Sequence, residues 1–147
     1  MDLADARFLD LYAGSGAVGL EALSRGAADV LLVESDPRAA RAIRANIAAL
    51  GVGDRARLLT APVRTALAAG PERGRPYQVV FADPPYATAA AELAAVQQAL
   101  VEREWLASNG LLVIERPSRN PLSWVDCITP VRERRYGETT LWYGRRS

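Results

Sequence analysis

Asp83-Pro84-Pro85-Tyr86 puts a carboxylate, a carbonyl with no N–H of its own residue and an aromatic ring side by side in the chain. The run before it, Tyr77-Gln78-Val79-Val80-Phe81-Ala82, reads as a buried strand. Two consecutive prolines cannot continue a strand, so the chain must turn there and leave these groups at the strand's carboxyl end. In open α/β sheets that edge is where ligands bind. The Asp83 carboxylate and the Pro84 carbonyl accept hydrogen bonds and the Tyr86 ring offers a flat face, a set that suits a planar base bearing an exocyclic NH2. Asp-Pro-Pro also occurs in ordinary surface turns; its place after a buried strand and a second motif upstream single it out.

That second motif is Phe8-Leu9-Asp10-Leu11-Tyr12-Ala13-Gly14-Ser15-Gly16-Ala17-Val18-Gly19. A short apolar strand runs into a glycine loop, and a helix follows whose free N–H groups face whatever occupies the loop. Dinucleotide-binding proteins use a near relative of this loop, so alone it does not identify a ligand. Asp10 ends the strand with a charge that repels a pyrophosphate but could hold the ammonium of a methionine moiety. About twenty residues after the loop, Val30-Leu31-Leu32-Val33 ends in Glu34, placed to accept hydrogen bonds from ribose hydroxyls. Asp10 together with the Asp83 turn favours S-adenosylmethionine over NAD, which shares only the ribose acid.

Composition narrows the chemistry. The 147 residues are enough for one domain, spanning 1–147, with a real core. Histidine is absent, which removes Ser-His-Asp triads, Cys-His pairs and histidine-based metal sites. The single cysteine, Cys127, permits neither an internal disulfide nor a multi-cysteine zinc site and is read as a packing residue. Every basic residue is arginine; residues 1–102 carry ten against twelve acids, and residues 103–147 carry eight against five. The bias is too mild for a dedicated nucleic-acid-binding tail. No apolar run approaches the roughly 18 residues needed to span a bilayer, and no charged-then-apolar leader is seen. A cytoplasmic protein without a membrane segment is the expectation.

The elements that must position these groups alternate. Strands are expected at Arg7–Tyr12, Asp29–Val33, Ala56–Leu59, Tyr77–Ala82 and Gly110–Glu115. Helices are expected at Ala17–Arg25, from Pro37 to about Leu50, over Val63–Ala69 and over Ala89–Glu102. Asp36 is a plausible N-cap with Pro37 behind it, and Gly51 stops that helix. From about Ser123 the pattern has no helical period and reads as two strands meeting at Gly137. Alternation of this kind predicts an α/β fold, a doubly wound parallel sheet covered on both faces, with the carboxy-terminal hairpin at one edge. Trp105, Trp124 and Trp142 are assigned to packing, and Arg132, Arg134 and Arg135 to an exposed face of the hairpin.

This order resembles the class I methyltransferase fold, Rossmann-like and seven-stranded, with its last strand antiparallel beside the fifth. More narrowly, the chain is similar to the bacterial RsmD family, which methylates N2 of a guanine in 16S rRNA. The resemblance rests on the stretch from Asp10 to Ala27, on Glu34-Ser35-Asp36, on Asp83-Pro84-Pro85-Tyr86 and on Tyr136-Gly137-Glu138-Thr139-Thr140. It implies S-adenosylmethionine as cofactor, with Asp10, Tyr12, Ala13, Gly14, Ser15, Gly16, Glu34, Ser35, Ala61, Val63 and Asp83 around it. It implies that Asp83, Pro84, Pro85 and Tyr86 form the catalytic turn, and 16S rRNA or the small ribosomal subunit as partner, acted on by a monomer without a metal. Arg116 and Arg119, in the loop after the fifth strand, are candidates for RNA contact beside Tyr86. Many relatives place an acid after the third strand for the adenine amino group; this chain has Thr60-Ala61-Pro62-Val63, leaving backbone groups of Ala61 and Val63 for that edge. Relatives also carry a longer amino-terminal segment with a basic stretch, so a shortened amino terminus is expected here. An adenine-N6 methyltransferase of DNA, or a cofactor-binding core inactive on RNA, stays open as the alternative.

Overall fold

Five apolar runs, each too short for a helix and rich in Leu and Val, are separated by alanine-rich segments, and this pattern sets the architecture. A computed structural model describes residues 3–147. The elements in chain order are β1 (Arg7–Leu11), α1 (Ala17–Ser24), β2 (Asp29–Glu34), α2 (Pro37–Leu50), β3 (Ala56–Thr60), α3 (Val63–Ala68), β4 (Tyr77–Ala82), α4 (Ala90–Glu102), β5 (Leu106–Pro117), β6 (Ile128–Tyr136) and β7 (Thr139–Arg146). They form one seven-stranded sheet in the order β3-β2-β1-β4-β5-β7-β6. Strands β1 to β5 pair in parallel, while β7 runs antiparallel between β5 and β6. This is the doubly wound sheet with a carboxy-terminal hairpin that the sequence implied.

All five residues of the central strand β1 are buried, and their alternation divides the core in two. Leu9 and Leu11 join Val80, Leu112 and Ile114 beneath α3 and α4, where Leu67 and Leu100 are fully buried. Phe8 joins Val30, Leu32 and Val79 on the other face, under Leu20 and Leu23 of α1 and Ile43 of α2. At the amino ends of the strands Arg7 ties the sheet to its loops. It pairs with Asp29 (3.2 Å), donates to the carbonyls of Arg75 (2.6 Å) and Pro76 (3.0 Å), and stacks 4.1 Å from the Tyr77 ring centroid. Tyr77 in turn stacks on Trp105, whose indole N–H donates to Leu67 O at 2.9 Å.

Helix α2 carries its expected stops. The Asp36 side chain accepts from the Ala39 N–H at 3.0 Å, Pro37 opens the first turn, and Gly51 closes the helix with φ of 66°. A cap of this kind contributes about 1 kcal/mol. β1 ends one residue sooner than the sequence suggests, because Tyr12 already sits at φ of 57°. β5 starts earlier than expected, at Leu106, since the register shifts between Tyr77 and Val79 and lets the strand begin pairing at Leu106 and resume at Leu111. Cys127 corrects an expectation: it is exposed, in the bend before β6, where its carbonyl accepts the Ser147 N–H, and so does not pack in the core. Trp105 is buried, and Trp124 packs on the core from the loop before β6. Strand β6 forms the open edge, with a register shift between Pro130 and Arg132; Arg132 lies over the Tyr143 ring and Arg134 over the Tyr136 ring. Among the described residues no helix is long and apolar enough to cross a membrane.

Gly144 in β7 marks where the hairpin packs most closely. A Cβ there would lie 2.6 Å from Ile128 Cγ2 and 2.9 Å from the Trp124 ring, whereas one on Gly53 would meet nothing within 4 Å. Gly144→Ala should cost about 1–3 kcal/mol through overpacking. Gly53→Ala should stay within about 0.5 kcal/mol of the parent. Urea unfolding at unchanged m-value checks both.

Candidate active site

The carboxyl ends of β1, β2, β3 and β4 lie together, and backbone pairing continues just past β1 and β3: Ala13 N–H donates to Val33 O (3.0 Å) and Ala61 N–H to Glu34 O (3.1 Å). Three of these strands carry an acid within one residue of their last position. Asp10 is the penultimate residue of β1, Glu34 the last of β2 and Asp83 the first after β4.

Past β1 the chain must reverse within a few residues to enter α1, and Tyr12, Gly14 and Gly16 all take positive φ to do so (57°, 59° and 83°). Gly16 has two reasons to lack a side chain. Besides its φ, a Cβ would come within 3.1 Å of Leu32 Cδ2 and 3.2 Å of Ile43 Cγ1. At Gly14 nothing lies within 4 Å, so the loop presents bare backbone to open space. A non-glycine residue in the left-handed region costs on the order of 1–2 kcal/mol, and strain of this sort at Tyr12 is typical of residues held for a site.

Glu34 fixes the loop. One carboxylate oxygen accepts the Gly14 N–H at 2.7 Å and the other the Asp36 N–H at 2.9 Å, joining the glycine loop to the start of α2. Each oxygen retains a further acceptor position. Ser15 is held by its carbonyl, which accepts from the Asn46 side chain at 3.2 Å. Asp10 is 1% exposed, and its carboxylate accepts the Gly19 N–H at 3.0 Å, anchoring α1 from beneath. Burial pushes Asp10 up to about 7; the Gly19 bond opposes this, and the charges of Asp83 and Glu34 add to it.

A cleft of about 390 Å³ opens beside these strand ends. Its walls include Tyr12, Glu34, Ser35, Val63, Asp83 and Pro85. Arg64 of α3 and Glu92 of α4, also on the wall, form an ion pair at 2.8 Å. Tyr12 is pushed up to about 12, by burial first and the Glu92 charge second, so its hydroxyl stays protonated. A larger hollow, about 600 Å³, lies at the opposite strand ends, among Gln78, Asn109 and Arg145, away from every strand-end acid.

The structure thus brings Tyr12, Glu34, Ser35, Val63 and Asp83 to one cleft, with Gly14 and Ser15 on the adjoining loop. Asp10 lies beneath the loop, and the Ala61 N–H is committed to the sheet. Tyr86 is 64% exposed beyond the turn, with Arg119 donating to its hydroxyl and lying 4.9 Å from its ring centroid. Arg116 stands apart: it is 5% exposed on β5, and its Nε and Nη1 have no hydrogen-bond partner. Sequence reasoning missed Glu115 on β5. It follows Ile114, the register partner of Ala82, just as Asp83 follows Ala82, and both carboxyls are raised, by burial first and, for Glu115, by the Asp83 charge next. The signal was present: Leu111-Leu112-Val113-Ile114-Glu115 repeats the pattern of Val30 to Glu34, an apolar run closed by an acid.

Residues 1–145 match the family described as "Conserved hypothetical protein 95". The chain is 37% identical over 123 residues to ribosomal RNA small subunit methyltransferase D of Escherichia coli, covering 84% of this chain and 59% of that one. It is 32% identical over 129 residues to the protein of the same name from Haemophilus influenzae, covering 88% and 66%. The chain therefore spans about three fifths of the E. coli relative's length. Among solved structures, a conserved hypothetical protein of Streptococcus pyogenes superposes with TM-score 0.87 at 28% identity, covering 98% of this chain and 88% of that one. TrmN from Thermus thermophilus shares the fold, at TM-score 0.77 and 19% identity, over 98% of this chain and 45% of its own.

Asp10 makes stability depend on pH. Unfolded, it ionises near 3.8; folded, it keeps its proton to about 7. Between those values the native state binds the extra proton, so stability falls as pH rises through the window, and the loss is complete above it. Asp10→Asn should flatten the urea midpoint between pH 4 and pH 7.5, the range set by that shift. Parallel curves for the two proteins would show that Asp10 is not the group responsible.

Proposed function

The chain belongs to the conserved hypothetical protein 95 family, and on that premise we propose that it transfers a methyl group from S-adenosylmethionine to the exocyclic N2 amine of a guanine in 16S rRNA. The observation that carries the reading is the Asp83-Pro84-Pro85-Tyr86 turn, which opens onto the cleft bounded by Glu34 and the Tyr12 loop.

The residues present fit the cofactor. Gly14 offers bare backbone where a bulky group must approach, and Glu34 keeps acceptor capacity for ribose hydroxyls. Val33, Pro62 and Val63 give the cleft an apolar wall suited to a purine. When bound, the cofactor supplies a methyl group already activated on a sulfonium, so the protein needs no nucleophile of its own.

Its tasks are to orient the amine and to receive a proton. The N2 lone pair of guanine is delocalised into the ring and nucleophilically weak. Hydrogen bonds from the NH2 to the Asp83 carboxylate and the Pro84 carbonyl hold the nitrogen in line and favour its pyramidal form, and positioning of this kind supplies much of an acceleration. Pro85 fixes the turn, and Tyr86 gives the extruded base a ring to stack on. With no histidine in the chain, Asp83 is the acceptor at hand for the departing proton. Arg119, now over the Tyr86 ring, is placed to meet the nucleotide's phosphate as the base takes that face.

The test is transfer of labelled methyl to undermethylated small ribosomal subunits, with the product nucleoside identified by mass spectrometry. N2-methylguanosine is expected. Asp83→Ala should lower kcat by about 10²–10⁴-fold. Tyr86→Ala should weaken RNA capture by about 1–3 kcal/mol, read as a higher KM. N6-methyladenine as the only product would overturn the choice of base while keeping the reaction class.

A further inference from the structure

Asp83 does not stand alone at the end of β4. Ala82 is in register with Ile114 on the neighbouring parallel strand β5, so the next position sets Asp83 beside Glu115 on one face of the sheet. Neighbouring in-register positions on parallel strands bring the two carboxyls within reach of each other, and both are partly withdrawn from water. Two carboxylates have only acceptors, so contact between them requires a proton on one.

We propose that Glu115 is the positioning residue for the Asp83 acceptor: its protonated carboxyl donates to one Asp83 oxygen and leaves the other for the incoming amine. The inference rests on the methyl-transfer reading for its catalytic consequence, though the pairing itself does not.

The neighbourhood favours this distribution of the proton. Asp83 lines the cleft and Glu115 is set back from its wall, so a proton on Glu115 leaves the acceptor at the cleft, and the Asp83 charge raises Glu115 in keeping with this. The charged groups around the pair are mostly acidic. Asp10 on β1 feels the Asp83 charge, Glu34 ends β2, and Glu92 lies across the cleft, where Arg64 is already engaged with it. Arg116, next to Glu115 in sequence, projects to the opposite face of β5. On the other side of β5, Glu115 is in register with Leu141 of β7, which carries no charge.

In the reaction the amine nitrogen forms the new bond to the methyl carbon as the carbon–sulfur bond breaks with its electron pair going to sulfur. The nitrogen then sheds one proton, which the free Asp83 oxygen accepts. The pair holds one proton before the step and two after it, and the second passes to water when product leaves. A protonated Glu115 thus keeps Asp83 anionic and correctly turned in an acidic setting.

Two measurements test this on the full chain. Carboxyl carbon NMR should show Asp83 titrating with Glu115 in two coupled steps, and in Glu115→Gln Asp83 should titrate in a single step. In methyl transfer, Glu115→Ala should lower kcat by roughly ten- to a hundredfold with the RNA KM unchanged. Glu115→Gln, whose amide can still donate to Asp83, should remain within a few-fold of the parent. An identical Asp83 titration with and without Glu115, or full activity of Glu115→Ala, would overturn the proposal. The titration needs no RNA: coupled carboxyls in a chain that transfers no methyl would uphold the pair and overturn the functional reading instead.

Discussion

The site depends on one side chain accepting two backbone hydrogen bonds. Glu34 sits at the end of β2 and holds Gly14 at 2.7 Å with one oxygen and Asp36 at 2.9 Å with the other. Hydrogen bonds to a charged group each contribute about 1.5–3 kcal/mol. Here they hold a loop that contains three positive-φ residues within five positions and would otherwise have many conformations. The same carboxylate joins the loop after β1 to the first turn of α2, so two helices take their direction from it. Remove it and the strands would still pair, but the loop would lose the anchor that lets bare backbone face the cleft.

Around that anchor the chain concentrates carboxyl groups where burial makes their charged form costly. Asp10 and Glu34, with Asp83 and Glu115, lie at or near the carboxyl ends of neighbouring strands, and Asp10 feels both Asp83 and Glu34. A fold selected only for stability would have placed neutral residues there. The arrangement is tolerable because each acid has a use for its oxygens: Gly19 for Asp10, two amides for Glu34, and a shared proton for the Asp83–Glu115 pair.

Much of this was legible in the sequence, because the signals were local. Alternating apolar runs and alanine-rich segments gave the order of elements, Asp36 with Pro37 and Gly51 bounded α2, and the double proline ended β4. Glu34 and Asp83 were read toward a ligand from their positions at strand ends, and Tyr12, Ser35 and Val63 joined them through the family resemblance. What escaped depended on register and on which face a strand turns. The slip between Tyr77 and Val79 lengthened β5, and only pairing across strands reveals that Glu115 adjoins Asp83. The reading of Cys127 as a packing residue failed for a similar reason, since its exposure follows from the bend that precedes β6. Arg116 and Arg119, three apart in one loop region, part company because one ends in a strand that buries it and the other stands on the turn after it.

Strand β6 has a consequence for the protein's behaviour at high concentration. As the last strand it offers a row of unpaired backbone groups, the usual template for sheets to fuse between molecules. Pro130 lacks a donor there, the register slip beside it twists the strand, and Arg132, Arg134 and Arg135 outnumber Glu133 along the rim and leave it net positive. Two such rims repel each other before their backbones can meet, so the sheet that the first five strands begin is prevented from growing through its seventh position into a fibre.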